Sequence, residues 1–170
     1  MLGVYENFPE NIHKITTYAV SISTKKLQET LVRVFREINR KTFNLEDVAD
    51  PSVPNCTIIF ELGIAEARDF NYLDDVEASV LLKAIEKKPF QVMDFYCAIR
   101  YYKIEGERKA PLKFDYYMIR AMFNKNSMET RIFHERGPRY ISPDDIVNFL
   151  VNETNEIFSR KIVKALETAF

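Results

Sequence analysis

Residues 87–139 restrict the possible fold more than any other part of the chain. They contain three runs of apolar and aromatic residues with the length and composition of β-strands. These runs are Phe90–Ile104, Leu112–Asn124 and Met128–Glu135. The first two are separated by the turn-rich segment Glu105–Pro111, which has the length of a hairpin loop, and a short polar turn precedes the third. The sequence therefore predicts consecutive antiparallel strands here.

The remaining segments predict two further strands and three helices. Residues 13–23 and 55–64 have the β-branched or continuous apolar character of strands. Residues 24–40 carry one apolar helical stripe, and Asn71 is placed to cap a second helix over 72–88. Ser142 followed by Pro143 is typical of a helix start, and the apolar spacing predicts a C-terminal helix over 143–168.

The resulting order, β-α-β-α-β-β-β-α, predicts an α+β fold. We expect a single-domain layer sandwich over residues 1–170, with an antiparallel-dominated sheet and helices mainly on one face. Residues 1–11 are expected to form an irregular N-terminal arm. The chain has no apolar run long enough to span a membrane and no signal-peptide pattern, so the expected location is cytoplasmic. Cys56 and Cys97 lie in apolar runs and are predicted to be buried free thiols.

The charge of the molecule is unevenly distributed. Residues 87–139 hold 12 of the 24 Lys and Arg residues but only 6 of the 25 Asp and Glu residues, a net charge of +6, so the other 117 residues sum to −7. The same window holds 10 of the 22 Phe and Tyr residues. Aromatic rings interleaved with cations can form a stacking platform for nucleic-acid bases, or they can belong to a half-buried sheet.

Alternation along the strands separates the two faces of the sheet. The apolar phase predicts a core from the sheet and the helices, consisting of Ile58, Phe60, Phe95, Cys97, Ile99, Ile119 and Phe123 packed against Leu31, Val34, Val80 and Phe149. The opposite phase places a basic and aromatic set on the face away from the helices. The candidate nucleic-acid-binding residues in that set are Tyr96, Arg100, Tyr102, Arg120 and Arg131.

Catalytic signatures are weak. His13 and His134 have no partner at metal-ligand spacing, and four scattered glycines cannot build a phosphate loop. Asp94, Glu107 and Lys109 have an order seen in metal-dependent nucleases, but Glu107 and Lys109 fall in the predicted hairpin loop, where mixed charge is typical of a solvated turn. No cofactor and no metal site are predicted.

Residues Ile12–Thr24, followed by the Leu27/Leu31/Val34 helix, resemble a group of small archaeal proteins described as RNA-binding or exosome-associated. The resemblance covers residues 12–40. It implies an α+β fold related to a ribosomal large-subunit protein and a role in RNA binding, and it transfers no functional residue.

These observations predict a noncatalytic binding protein that contacts RNA or single-stranded nucleic acid through the 95–136 sheet surface. Two alternatives stay open. The same surface could hold a second copy of the chain, as in a homodimer or larger homo-oligomer, or the protein could be a metal-dependent nuclease.

Overall fold

Nine strands form one sheet in the computed structural model, which describes residues 3–49 and 54–166. Every strand pairing in those residues is antiparallel. The strands are β1 (Gly3–Val4), β2 (Lys14–Val20), β3 (Thr42–Asn44), β4 (Cys56–Glu66), β5 (Asp69–Tyr72), β6 (Val92–Glu105), β7 (Arg108–Asn124), β8 (Ser127–Arg136) and β9 (Val163–Ala165). Their order across the sheet is β1-β5-β4-β6-β7-β8-β2-β9, and β3 pairs with β4.

Three helices, α1 (Thr24–Ile38), α2 (Asp75–Lys87) and α3 (Pro143–Ile157), accompany the sheet. Each begins at a side-chain cap that accepts a hydrogen bond from a backbone N–H of the first turn. The caps are Ser23, Asp74 and Ser142. With the four short strands β1, β3, β5 and β9 set aside, the order is the predicted β-α-β-α-β-β-β-α, and the α+β class is confirmed.

The helices pack on one face of the sheet, here called the inner face. Phe35 of α1 meets Phe95 of β6 with ring centroids 4.6 Å apart, and Phe149 of α3 stacks on Phe60 of β4 at 5.4 Å. The seven sheet residues predicted for the core are all buried, as are Leu31, Val34 and Phe149. Val80 is an exception. It is 49% exposed, because α2 turns Ala78, Leu81 and Ile85 toward the core instead.

Several predicted element boundaries need correction. The predicted 72–88 helix begins at Asp75 because Asp74, rather than Asn71, caps it. The 24–40 helix ends at Ile38, and Arg40 takes a positive φ of 65°. The loop predicted over 105–111 is a tight turn, since β6 and β7 stay paired as far as Glu105 and Arg108. Gly106, with a φ of 64°, supplies the left-handed conformation that this turn needs.

The C-terminal helix predicted over 143–168 ends at Ile157, and Ser159 follows with a positive φ of 53°. The side chain of Asn155 then holds the returning chain, because its Oδ1 accepts from the backbone N–H groups of Ile162 and Val163 and its Nδ2 donates to the Val163 carbonyl. Residues 163–165 become β9, which pairs with β2. Residues 167 and 168 lie outside the described part of the chain.

At the other terminus, the arm predicted over 1–11 is irregular only in part, because Gly3 and Val4 pair with β5. No helix in the residues described has the length and apolarity needed to cross a membrane.

Candidate nucleic-acid interface

The five predicted binding residues all belong to the face of the sheet opposite the helices, here called the outer face. The register shows this, since Tyr96 lies opposite Met118, Arg100 opposite Phe114 and Arg120 opposite Arg131 on neighbouring strands. Directly paired residues in an antiparallel sheet point to the same face. Tyr102 follows Arg100 by two residues on β6 and shares its face.

The three arginines in this set are each held by a carboxylate of the protein itself. Asp94 accepts two hydrogen bonds from Arg120, from Nε at 2.8 Å and from Nη2 at 2.9 Å, and this pairing is the main reason that the pKa of Arg120 is raised. Arg100 pairs with Glu61 across the β4–β6 ladder. Arg131 pairs with Glu129 on its own strand at 2.8 Å. Their charges are therefore partly neutralised before any ligand arrives.

An aromatic row crosses the outer face. Its consecutive ring centroids are 4.8, 5.0, 6.0 and 6.3 Å apart. The row runs Tyr5, Phe70, Tyr96, Tyr116, Phe114. These spacings suit edge-to-face and tilted aromatic contacts, so the row stabilises the outer face in the manner of a second small core.

Tyr96 lies in the middle of this row and is only 6% exposed. Burial is the main cause that raises the pKa of its hydroxyl, and the negative charge of Glu135 raises this pKa further. Tyr96 therefore lies on the predicted face but is buried there. Its ring already contacts Phe70 and Tyr116, so it cannot offer a free face to a base.

The Phe114 end of the row remains open. Phe114 is 40% exposed, and Tyr102 and Tyr116 are half-buried. Two guanidinium groups lie over these rings: Arg136 is 4.1 Å from the Tyr116 centroid and Arg100 is 5.5 Å from that of Phe114. We call these five residues the open end of the outer face.

Exposed basic side chains are frequent in the chain segments that adjoin the open end. Segments 103–114 and 135–139 contain six exposed Lys or Arg residues and three exposed Glu residues, a net charge of +3. The basic residues are Lys103, Arg108, Lys109, Lys113, Arg136 and Arg139. Much of the basic character detected in the sequence is therefore located at this end of the β6–β7 hairpin.

The carboxylates of the nuclease alternative do not come together. Asp94 is near the start of β6 and is engaged by Arg120, whereas Glu107 is in the turn beyond the end of β6. The eleven steps of extended strand from Asp94 to Glu105 span about 36 Å. Within the described ranges, no group of three or more His, Cys, Asp or Glu residues is placed to hold a metal ion.

Sequence reasoning missed a buried polar cluster around Asp115 on the inner face. The carboxylate of Asp115 is fully buried and accepts hydrogen bonds from the Tyr101 hydroxyl at 2.6 Å and from the backbone N–H groups of Arg139 and Tyr140 at 2.6 and 3.0 Å. Nε2 of His134 lies 2.8 Å from Oδ1 of Asp115, the oxygen that also accepts from the Arg139 N–H. Burial, followed by the hydrogen bond to Asp115, raises the pKa of Tyr101 far above its ordinary value.

This cluster fixes the loop that follows Arg136 and carries Arg139. Gly137 has a φ of 112°, and a Cβ there would overlap the Phe114 carbonyl and the Asp115 carboxylate. Asp115 thus acts as an anchor, tying the loop after β8 to β7 behind the open end.

Cys97 belongs to the same buried region, and burial raises the pKa of its thiol. Cys56 and Cys97 are both buried and free, as the sequence predicted.

Two interacting carboxyl groups, those of Glu77 and Glu66, lie where the start of α2 meets the end of β4. Glu77 lies against Glu66 of β4, and its pKa is raised to about 7. Burial is the largest cause, and the hydrogen bond with Glu66 and the charge of Glu66 raise the pKa further. The pKa of Glu66 is lowered by its hydrogen bonds with Glu77 and Asn71. The two carboxyl groups therefore titrate as an interacting pair.

We expect this pair to make stability depend on pH. Because the pKa of Glu77 rises from an ordinary 4.5 to about 7 on folding, its contribution is fully present below about pH 4.5 and is lost as the pH rises through 7. Glu77→Gln should reduce the loss of thermal stability between pH 5 and pH 8. Glu86→Gln, an exposed change on the same helix, should leave that loss as in the wild type. An unaltered pH profile in Glu77→Gln would show that the two carboxyl groups do not titrate as an interacting pair.

The chain matches no protein-family model, no curated protein and no solved structure.

Proposed function

We propose that the protein binds single-stranded nucleic acid, with RNA as the favoured form, and that the strand lies on the open end of the outer face. The observation that supports this most directly is the set of accessible rings beside stacked guanidinium groups, on a sheet face that none of the described helices covers. Sheet-borne aromatic side chains that stack on unpaired bases are a common mode of RNA recognition.

The electrostatics support the same class of ligand. The segments that adjoin the open end, with a net charge of +3, offer several exposed cations to a phosphate backbone. Arg136 is the guanidinium of the open end best placed for this role, because Glu61 already holds Arg100. The resemblance of residues 12–40 to archaeal RNA-binding proteins also favours RNA.

The proposal retains Tyr102 and Arg100 from the predicted set and adds Phe114, Tyr116 and Arg136. Arg120 and Arg131 lie farther along the sheet and are engaged by Asp94 and Glu129. The buried free thiols support a reducing, cytoplasmic location for this binding protein.

Titration of a fluorescein-labelled oligouridylate at two salt concentrations tests the proposal. Phe114→Ala should weaken binding by about 1–3 kcal/mol, the value of one stacked base, with little loss of stability because the ring is partly exposed. Arg136→Ala should reduce the slope of log K against log salt by about 1 if it contacts a phosphate.

The matched control is Arg33→Ala, which removes an exposed arginine from α1 on the helix side of the sheet. It should bind as the wild type does. Failure of the wild type to bind at low salt would refute the proposal. A mass that rises with protein concentration, together with indifference to oligonucleotide, would favour the homo-oligomer alternative.

A further inference from the structure

The end of the outer face remote from the open end is crossed by the chain's own N-terminal segment, residues 5–12, here called the arm. The arm leaves β1 beside β5 and enters β2 beside β8. Six strand spacings separate β1 from β2, about 29 Å, and the ten steps from Val4 to Lys14 reach about 33 Å when extended. The arm must therefore run nearly straight across the sheet.

The arm contacts the same types of group that the proposed function assigns to a ligand. The ring of Phe8 lies under the Arg120 guanidinium, with 4.7 Å from Cζ to the ring centroid. Tyr5 packs edge-on against Phe70, its hydroxyl donates to Asp94, and its backbone N–H donates to the Arg68 carbonyl at 2.7 Å. An aromatic ring on an arginine is the contact that a stacked base would make there.

The composition of the arm completes the likeness to a nucleic-acid strand. Residues 5–12 contain two carboxylates, Glu6 and Glu10, and no basic residue, and both carboxylates are exposed. They flank Phe8 at a spacing of two residues on each side. The arm is thus an extended, acidic segment with a central ring, lying on a basic and aromatic sheet face.

We propose that the arm is an intramolecular competitor, which closes a second base-binding subsite formed by Arg120 and Phe70. This inference rests on the proposed function. With the arm in place, a bound strand reaches only the open end; with the arm displaced, a longer strand passes over the buried Tyr96 and reaches Phe70 and Arg120. The few contacts that hold the arm, and the exposure of Glu6, Asn7 and Glu10, make displacement feasible without disturbing the inner core.

Oligouridylates of two lengths, about 4 and about 12 nucleotides, test this inference on the full-length protein. Phe8→Ala should bind the longer one about tenfold or more tightly than the wild type does, the gain expected for one added stack, and should bind the shorter one unchanged. Glu6→Gln combined with Glu10→Gln should give a smaller gain in the same direction, largest at low salt. Ile157→Ala, an exposed truncation on α3, is the control and should change neither affinity.

A second measurement does not depend on the variants. Hydrogen exchange of the Tyr5 amide, which is bonded to Arg68, should speed up when the longer oligonucleotide is added to the wild type. If the wild type binds but Phe8→Ala gains nothing and the Tyr5 amide keeps its protection, the arm is not a competitor and the proposed function still stands. If neither protein binds either oligonucleotide, the proposed function itself fails.

Discussion

Replacing Asp115 with alanine is expected to destabilise the protein by about 3–5 kcal/mol, the range seen when one partner of a buried charged network is removed. The change leaves the buried Tyr101 hydroxyl and two partly buried backbone N–H groups without their acceptor. Each buried donor left unpaired costs about 1–3 kcal/mol. Chemical unfolding in urea would measure the loss directly.

Two further variants make this result specific. Asp115→Asn keeps the shape and one acceptor oxygen but turns an N–H₂ group toward existing donors, so its loss should lie between those of the wild type and the alanine variant. Asp75→Ala removes an aspartate whose side chain is 93% exposed, and it should have a much smaller effect. Equal losses in Asp75→Ala and Asp115→Ala would show that Asp115 anchors nothing. If Asp115→Asn keeps its fold but loses oligonucleotide binding, the substitution acts instead by displacing Arg136 and Arg139.

The sheet could be predicted because its signal is local. Phe95, Cys97 and Ile99 alternate with polar or small residues, and this period of two determines both the strand and its inner face. The end of α3 had no such signal. Ile162 and Val163 continue the apolar spacing of the helix, and what ends the helix earlier is the Asn155 amide bound to residues 162–163, a contact that exists only after the chain has turned back.

The sequence predicts which face of the sheet carries the candidate residues, but it does not predict whether each of them is buried or paired. Alternation places Arg120 on the outer face correctly, yet its pairing with Asp94 requires the β6–β7 register, and its contact with Phe8 requires the path of the arm. Tyr96 is buried for a similar reason, since Phe70 reaches it from β5, a strand that the sequence did not reveal.

The strand alternation in the sequence also indicates that Asp115 is buried. Asp115 shares the phase of Tyr117, Ile119 and Phe123, all of which face the core, so alternation alone places a carboxylate among apolar side chains. A buried carboxylate needs several donors. Which donors satisfy it could not be predicted, because His134 and the backbone of residues 139–140 meet it only through the β7–β8 pairing and the loop that follows.

Phe60→Ala is expected to cost about 3–5 kcal/mol, the usual loss for a fully buried phenylalanine. Phe60 is central to the contact between the sheet and α3. Its ring stacks on Phe149 at 5.4 Å with planes 5° apart, and it meets the edge of Phe43 at 5.7 Å. Truncation leaves a cavity that both neighbouring rings line, and rigid rings relax poorly into it.

Val80→Ala is the informative counterpart, because the helical pattern assigned Val80 to the same core and the structure turns it outward. Its effect should stay within about 0.5 kcal/mol, since a half-exposed valine loses little burial and alanine has the higher helix propensity. Urea unfolding of both variants, with unchanged m-values as the check on a common unfolded state, compares the two directly. A loss in Val80→Ala comparable to that in Phe60→Ala would mean that α2 packs against the core with the face that carries Val80, as the sequence predicted. The face that carries Ala78, Leu81 and Ile85 would then not be the buried one.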